Sequence, residues 1–172
     1  MPAESPLVVF YRHTGTDHRG RTLREIRAFT LDELERHHDF IQWLFPLPEP
    51  SGANLSAPLL SAEDVRQFTS DDRLRAELIV SLDTMLRFYG FERPDDKSPD
   101  IVRAGDYHHR RAVWLTPANH NFLRMTRMLR ALTLLGCAAH ARAFLGSLEE
   151  TYADAREAIG LRTITFWRKA VQ

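Results

Sequence analysis

The chain has 172 residues, of which 44% are hydrophobic and 27% charged, and its 23 basic and 23 acidic side chains leave no formal net charge. These values are ordinary for a soluble globular domain, and they exclude wholesale disorder, collagen-like repeats and a global positive field that would attract nucleic acid. The length predicts a single domain over residues 1–172. The only cysteine, Cys137, excludes an intrachain disulfide and a cysteine-rich zinc site, and its apolar neighbours favour a buried, inert thiol.

The first part of the chain predicts one short strand-like segment and one long helix. Residues 6–11 are rich in β-branched and aromatic side chains, which favours an extended segment, and residues 14–22 read as a loop. Thr30 and Glu33 form a capping box, so we expect a helix over residues 31–45. Three prolines then end that helix, and residues 46–60 predict a proline-rich loop.

The middle and last parts of the chain predict further helices separated by loops. Ser61 caps a short helix to residue 68, and the next helix runs from residue 70 or 71 to Gly90. Loops and one extended segment, residues 112–115, follow; this segment is a candidate partner for residues 8–11. Later helices cover residues 117–135, 137–158 and 163–171, with stops at Gly136 and Gly160.

The pattern as a whole predicts an all-α fold. We expect an irregular or orthogonal bundle of about five or six helices, with the proline-rich loop and at most a minor extended pair. No apolar run is long enough to span a bilayer, and the N-terminus lacks a signal-peptide pattern. The sequence therefore predicts a cytoplasmic protein with no transmembrane segment.

The first candidate site is formed by His38 and Gln42, which the predicted helix places one turn apart on its apolar face. Polar groups against a core need partners, because each unpaired one costs roughly 1–3 kcal/mol. The interpretation that we favour is a buried polar network that fixes helix packing. The alternative is a pair of polar anchors for a ligand in an apolar pocket.

The second candidate site lies at the start of the helix predicted over residues 117–135. Asn121 falls within the apolar arc, whereas His120, Arg124 and Arg127 share another face. Asn121 is suited to capping or to bonding a neighbouring helix, and the basic trio is suited to solvent or salt bridges. The alternative is an anion site, because guanidinium groups and an imidazole bind carboxylate or phosphate well.

Other familiar chemical sites are not indicated. The eight histidines include adjacent pairs, whose side chains point in different directions on a helix, and no metal-binding spacing occurs. There is no nucleophile elbow, phosphate loop or dinucleotide fingerprint. The basic run at residues 107–111 reads as an exposed loop. We therefore expect no metal, no cofactor, no specific nucleic acid and no catalytic residue set.

Several motifs, in order, resemble the conserved region of the opioid growth factor receptor family. They are Phe10-Tyr11-Arg12, Gly20-Arg21, Leu34-Glu35, the run of residues 38–46, Asn54 with Ala57, residues 85–90 and the run of residues 120–129. The resemblance covers residues 7–148, with 149–172 as a helical extension. It implies a mostly helical domain, and in animals the family is linked to binding an enkephalin-type opioid peptide and to restraint of cell growth in and around the nucleus. Since this chain ends at Gln172 without C-terminal repeats or a basic nuclear-import cluster, we expect a bacterial stand-alone version, for which an opioid peptide is an implausible ligand.

The leading functional hypothesis is a binding module that holds a peptide or a small anionic ligand in a cleft between the helices of residues 31–45 and 117–135. Its ligand-binding candidates are Tyr11, Arg12, His38, Asp39, Gln42, Trp43, Asn54, His120, Asn121, Arg124 and Arg127. The second hypothesis is an enzyme of unknown class, with His120 or His38 as general base and Asp39 orienting it. The third is a structural or interaction protein, such as a homodimer that uses the segment around Phe166 and Trp167.

Overall fold

The computed structural model describes residues 4–172. Within that range the chain forms ten helices and one two-stranded antiparallel sheet, so the mostly helical fold is confirmed and the expected count of five or six helices is wrong. The chain divides into two compact units, residues 1–81 and 82–172. No helix of the described residues is long and apolar enough to cross a membrane.

The first unit consists of short helices around an aromatic core. Tyr11 packs edge-on against Phe68, with ring centroids 5.1 Å apart, and Phe10 packs against Trp43 at 5.2 Å. All four side chains are buried. The helices are α1 Pro6–Tyr11, α2 Leu23–Arg27, α3 Leu31–Arg36, α4 Ile41–Leu44, α5 Ala62–Ser70 and residues 72–81 of α6 Asp72–Tyr89.

Helix α1 replaces the extended segment that the sequence predicts at residues 6–11. Ser5 has an extended backbone and its hydroxyl accepts a hydrogen bond from the Val8 amide, while Pro6 occupies the first helical turn. A side-chain cap and a proline at this position both favour a helix start, and here they outweigh the β-propensity of the apolar run. The loop prediction for residues 14–22 is confirmed.

The helix predicted over residues 31–45 is interrupted. Its capping box is present, but α3 ends at Arg36, because the following residue, His37, has an extended ψ of 132°, and α4 begins only at Ile41. The carbonyl of Asp39 accepts a hydrogen bond from the Asn54 side chain at 2.7 Å, and the Trp43 amide donates to the Phe40 carbonyl instead. A side chain from the proline-rich loop thus takes a carbonyl that a continuous helix would use.

The second unit contains the longer helices. In it α8, α9 and α10 pack on one another, and the two strands pair with Phe91 opposite Arg103. The elements are residues 82–89 of α6, β1 Phe91–Glu92, β2 Val102–Arg103, α7 Tyr107–Trp114, α8 Asn121–Leu134, α9 Ala138–Asp154 and α10 Arg156–Ala170.

Several boundaries of the second unit differ from the sequence prediction. The last helix begins at Arg156 and not at residue 163, and residues 107–111, expected to be an exposed loop, form the start of α7. Residues 112–115, expected to be extended, fall largely within α7. The helix expected from residue 117 starts at Asn121, because Ala118 has a φ of 56° and the Asn119 side chain accepts a hydrogen bond from the Asn121 amide at 3.0 Å. Gly90 and Gly136 end α6 and α8 with positive φ, as predicted. Cys137 is buried, as predicted, and the inertness of its thiol stays a prediction.

Candidate functional site

A cavity of about 530 Å³ opens in the first unit, near the end of α1 and the start of α6. Its volume lies within the range of roughly 300–1,000 Å³ that is usual for small-molecule sites. The lining combines two apolar side chains with charged ones. It consists of Tyr11, Arg12, His13, Thr14, Asp71, Arg73, Leu74 and Glu77.

The backbone that ends α1 places His13 at the cavity. The Thr14 amide donates to the Val9 carbonyl and the His13 amide donates to the Phe10 carbonyl, both at 3.1 Å, which closes the helix in a Schellman motif. His13 takes the left-handed position of that motif, with a φ of 61°. Glycine is the usual residue there, and a residue with a side chain adopts this conformation at a cost.

Glu77 on α6 connects His13 to α2. Its Oε2 atom lies 2.5 Å from the Arg27 guanidinium and 3.0 Å from Nε2 of His13. Burial on its own raises the pKa of the Glu77 carboxyl, but the hydrogen bonds from Arg27 and His13 outweigh it and hold that pKa below its ordinary value. Both contacts use Oε2, and Oε1 accepts no hydrogen bond from any residue of the range 4–172.

Arg73 lies one helical turn before Glu77 on the same wall of the cavity. Residues four apart on a helix are neighbours that often form ion pairs. Here Glu77 is turned toward α2 and His13, and the Arg73 guanidinium has no ion-pair partner within the described part of the chain. Arg12 differs, because its guanidinium contacts Glu4 and lies 3.4 Å from Asp71.

Two of the residues singled out from the sequence, Tyr11 and Arg12, therefore line this cavity. Tyr11 is fully buried and its hydroxyl donates to the Leu44 carbonyl, which anchors the end of α1 on α4. Arg12 is exposed and belongs to the rim of charges. The cavity is thus built on the first of the motifs that carry the family resemblance.

Asp39 and Trp43 belong to a separate network in the first unit. The Asp39 carboxylate contacts Arg19, lies 3.1 Å from Arg21 and 3.6 Å from Nε2 of His18. Burial raises the pKa of the Asp39 carboxyl, yet Arg21 and Arg19 outweigh that effect and lower it. The Trp43 indole donates to Nδ1 of His18 at 3.2 Å. This arrangement ties the loop of residues 14–22 to α4.

Gln42 and Asn54 are buried and hold the proline-rich loop. The Gln42 amide donates to the His38 carbonyl and to the Ser51 hydroxyl, each at 3.2 Å. Asn54 donates to the Asp39 carbonyl and accepts from the Ser56 amide at 3.0 Å. The side chain of His38 is exposed, because the helix that would have turned it toward the core is interrupted.

The remaining four candidates lie on or beside α8 in the second unit. Asn121 is fully buried, and its Oδ1 accepts hydrogen bonds from the Tyr89 hydroxyl at 3.4 Å and from Arg124 at 3.2 Å. Arg124 is buried beside it, whereas His120 is exposed and Arg127 is half-buried. The basic trio predicted on one face is therefore divided by burial. The cleft predicted between residues 31–45 and 117–135 joins different units and stays a prediction.

The residues that sequence reasoning missed are His13, Arg73 and Glu77. The spacing of Arg73 and Glu77 was visible on a predicted helix, but their importance depends on Arg27 and on the turn at His13, which are distant in sequence. The sequence predicted an extended segment at residues 6–11, so His13 was not expected to follow the end of a helix. In residues 4–172, no group of three or more His, Cys, Asp or Glu side chains is placed to hold a metal ion.

Comparison with known proteins gives consistent matches. The family described as the opioid growth factor receptor conserved region matches residues 21–166. Over 105 residues, or 61% of this chain, the opioid growth factor receptors of Rattus norvegicus and Homo sapiens are 41% and 40% identical, and the matched part is 18% and 15% of their lengths. The opioid growth factor receptor-like protein 1 of Mus musculus is 35% identical, over 22% of its length. No solved structure matches significantly.

Proposed function

Because this chain belongs to the opioid growth factor receptor conserved-region family, we propose that it is a binding module that holds a peptide or a small anionic ligand, with the anion in the cavity of the first unit. The relatives are named opioid growth factor receptors or receptor-like proteins, and the match covers under a quarter of their length. The word receptor in these names implies a binding role, which we propose for this chain as well.

The observation that carries the proposal is the free guanidinium of Arg73 on the wall of the cavity. Within the described residues, Arg12 and Arg27 already have carboxylate partners, whereas Arg73 has none. A guanidinium binds a carboxylate through two parallel hydrogen bonds, which are stronger than neutral ones. The apolar walls, Tyr11 and Leu74, suit the body of a ligand that carries such a group.

The other residues named from the sequence support this site or keep their predicted role. Tyr11 shapes the cavity and Arg12 adds positive charge at its rim. None of the other candidates, His38, Asp39, Gln42, Trp43, Asn54, His120, Asn121, Arg124 and Arg127, lines this cavity, and direct ligand contact by them stays a prediction of the sequence. The cytoplasmic location, the bacterial origin and the homodimer stay predictions of the sequence.

The test is a titration of the isotope-labelled protein, followed by NMR, with two monocarboxylates: 4-methylpentanoate and N-acetyl-L-leucine, which imitates a peptide C-terminus. We expect shifts of the Arg73, Leu74 and His13 amides and saturable binding. Replacing Arg73 with Gln should weaken binding about tenfold or more, because a charged hydrogen bond contributes roughly 1.5–3 kcal/mol.

The matched control is Arg24→Gln, which removes an exposed arginine of α2 that does not line the cavity. It should bind both probes like the unmodified protein. If every carboxylate probe binds Arg73→Gln as well as it binds the parent protein, or if neither these two probes nor L-leucine binds the parent, the proposed function is wrong.

A further inference from the structure

We infer that the ligand of this cavity is a free α-amino acid, whose carboxylate pairs with Arg73 and whose ammonium group is bound by Oε1 of Glu77. The inference rests on the proposed function and narrows it to one chemical class. It follows from two features on one wall of the same cavity: the Arg73 guanidinium, which has no ion-pair partner in the described residues, and Oε1 of Glu77, the carboxylate oxygen that Arg27 and His13 leave unused.

The acceptor proposed for the ammonium group is Oε1 of Glu77. Oε2 of Glu77 is used by Arg27 and His13, while Oε1 has no partner in the described range, and the side chain is 32% exposed. The two contacts fix the carboxylate, so Oε1 is held in place for a ligand. An ammonium group forms a strong, charge-assisted hydrogen bond with a carboxylate oxygen.

The spacing of Arg73 and Glu77 on α6 suits one small ligand with both charges. Arg73 and Glu77 are separated by one turn of α6, which puts their Cβ atoms about 5–6 Å apart. The ammonium and carboxylate groups of an α-amino acid are attached to the same carbon. One such ligand can therefore bridge the two side chains, where a direct ion pair between them is absent from the structure.

The net charge of the cavity lining favours a ligand with no net charge of its own. Among the lining residues other than His13, the charges of Arg12 and Arg73 balance those of Asp71 and Glu77. A phosphate dianion would place two negative charges beside these carboxylates, which disfavours it. A zwitterion adds no net charge, and each of its ends meets a protein group of opposite sign.

The apolar walls of the cavity indicate the side chain of the ligand. Leu74 is 2% exposed and Tyr11 is fully buried, so both present apolar surface that is fixed by the core. A leucine-sized side chain fits a cavity of about 530 Å³ with room for its polar end. An amino acid with an apolar side chain is therefore the expected member of the class.

The experiment compares four related probes on the unmodified protein: L-leucine, 4-methylpentanoate without the ammonium group, 3-methylbutan-1-amine without the carboxylate, and N-acetyl-L-leucine with the ammonium group blocked. We expect L-leucine to bind at least about tenfold more tightly than each of the others, because only it makes both charged contacts. Equal binding of L-leucine and 4-methylpentanoate would overturn the inference but leave the proposed function intact. Failure of every carboxylate would overturn both.

Two variants assign the contacts. Glu77→Gln should abolish the preference for L-leucine over 4-methylpentanoate, while Arg73→Gln should weaken both ligands. Glu63→Gln, an exposed glutamate of α5, is the matched control and should preserve the preference. Thermal unfolding checks that Glu77→Gln folds, and the four-probe comparison does not depend on that variant. A preference that persists in folded Glu77→Gln would contradict the assignment.

Discussion

Helix α1 and the helices α6 and α8 end with the same left-handed backbone turn, but with different residues. In the second unit the turn residues are Gly90, with a φ of 85°, and Gly136, with a φ of 86°. In the first unit the same position is taken by His13, with a φ of 61°. Glycine adopts this conformation without steric cost at the ends of α6 and α8. At the end of α1, His13 has a side chain, and its Nε2 atom contacts Glu77 beside the cavity.

Of these three helix ends, only that of α1 has a side chain in the left-handed conformation, and this conformation is unfavourable for a residue with a Cβ atom. A left-handed residue with a Cβ atom costs roughly 1–2 kcal/mol. Strained backbone that persists is found preferentially at functional sites, and the inference properly starts from an observed outlier. His13 is such an outlier on the wall of the proposed ligand site.

The largest effect is expected for Gly90→Ala. A Cβ atom at this position would lie 2.8 Å from Cα of Tyr107 and 2.8 Å from Cβ of Arg110, so the backbone of α7 would have to move. Steric overlap adds to the left-handed penalty, and we expect a loss of about 3 kcal/mol or more in the free energy of unfolding. Urea denaturation measures it. Gly105→Ala, where a Cβ atom meets nothing within 4 Å, is the control and should change stability by under ~0.5 kcal/mol.

Gly136→Ala should have a smaller effect. Gly136 is exposed, and the Cys137 amide donates to the Leu132 carbonyl at 2.8 Å across the turn. We expect only the left-handed penalty, about 1–2 kcal/mol, in the same denaturation experiment. A loss as large as that of Gly90→Ala would show that packing, and not backbone conformation, governs both glycine ends.

His13→Gly should stabilise the protein by about 0.5–1 kcal/mol, because relief of the left-handed conformation exceeds the loss of a half-exposed contact with Glu77. His13→Ala removes the same imidazole and keeps the Cβ atom, so it should be less stable than His13→Gly by roughly 1 kcal/mol. Equal stability of the two variants would refute the view that the backbone at this helix end is strained.

The smallest effect is a pH dependence at Glu77. The folded-state pKa of this carboxyl is lowered, since Arg27 and His13 outweigh the opposing effect of burial. Its stabilising contribution is therefore complete above the unfolded pKa of about 4.3 and is lost as the pH falls through the lower folded value. Between about pH 5 and 3, the free energy of unfolding of the parent protein should fall more steeply than that of Glu77→Gln. Parallel curves in that range would contradict the ion pair.

Local signals in the sequence predicted those parts of the fold that depend on local chemistry. The capping residues Thr30 and Ser61 and the stops at Gly90 and Gly136 were all correctly placed. The interruption of the helix at residues 37–40 was missed, because it depends on Asn54 of a later loop. Helix α1 was not predicted, because the β-branched and aromatic residues 8–11 have a high β-propensity, although Ser5 and Pro6 favour a helix start.

The candidate site was predicted only in part for the same reason. Tyr11 and Arg12 belong to a recognisable motif and line the cavity. The unpaired state of Arg73 follows from the orientation of Glu77, and that orientation is set by Arg27, which is 50 positions away in sequence. A pattern of spacing cannot reveal which of two arginines a carboxylate selects.

The single cysteine offers a way to observe the turn between α8 and α9 directly. Cys137 follows Gly136, is 4% exposed and is the only thiol of the chain. A disulfide reagent such as Ellman's compound can reach this sulfur only when the turn opens, so the reaction rate reports local opening without any added label. The same absorbance trace, recorded for Gly136→Ala, would separate loosening of this one turn from loss of the whole fold.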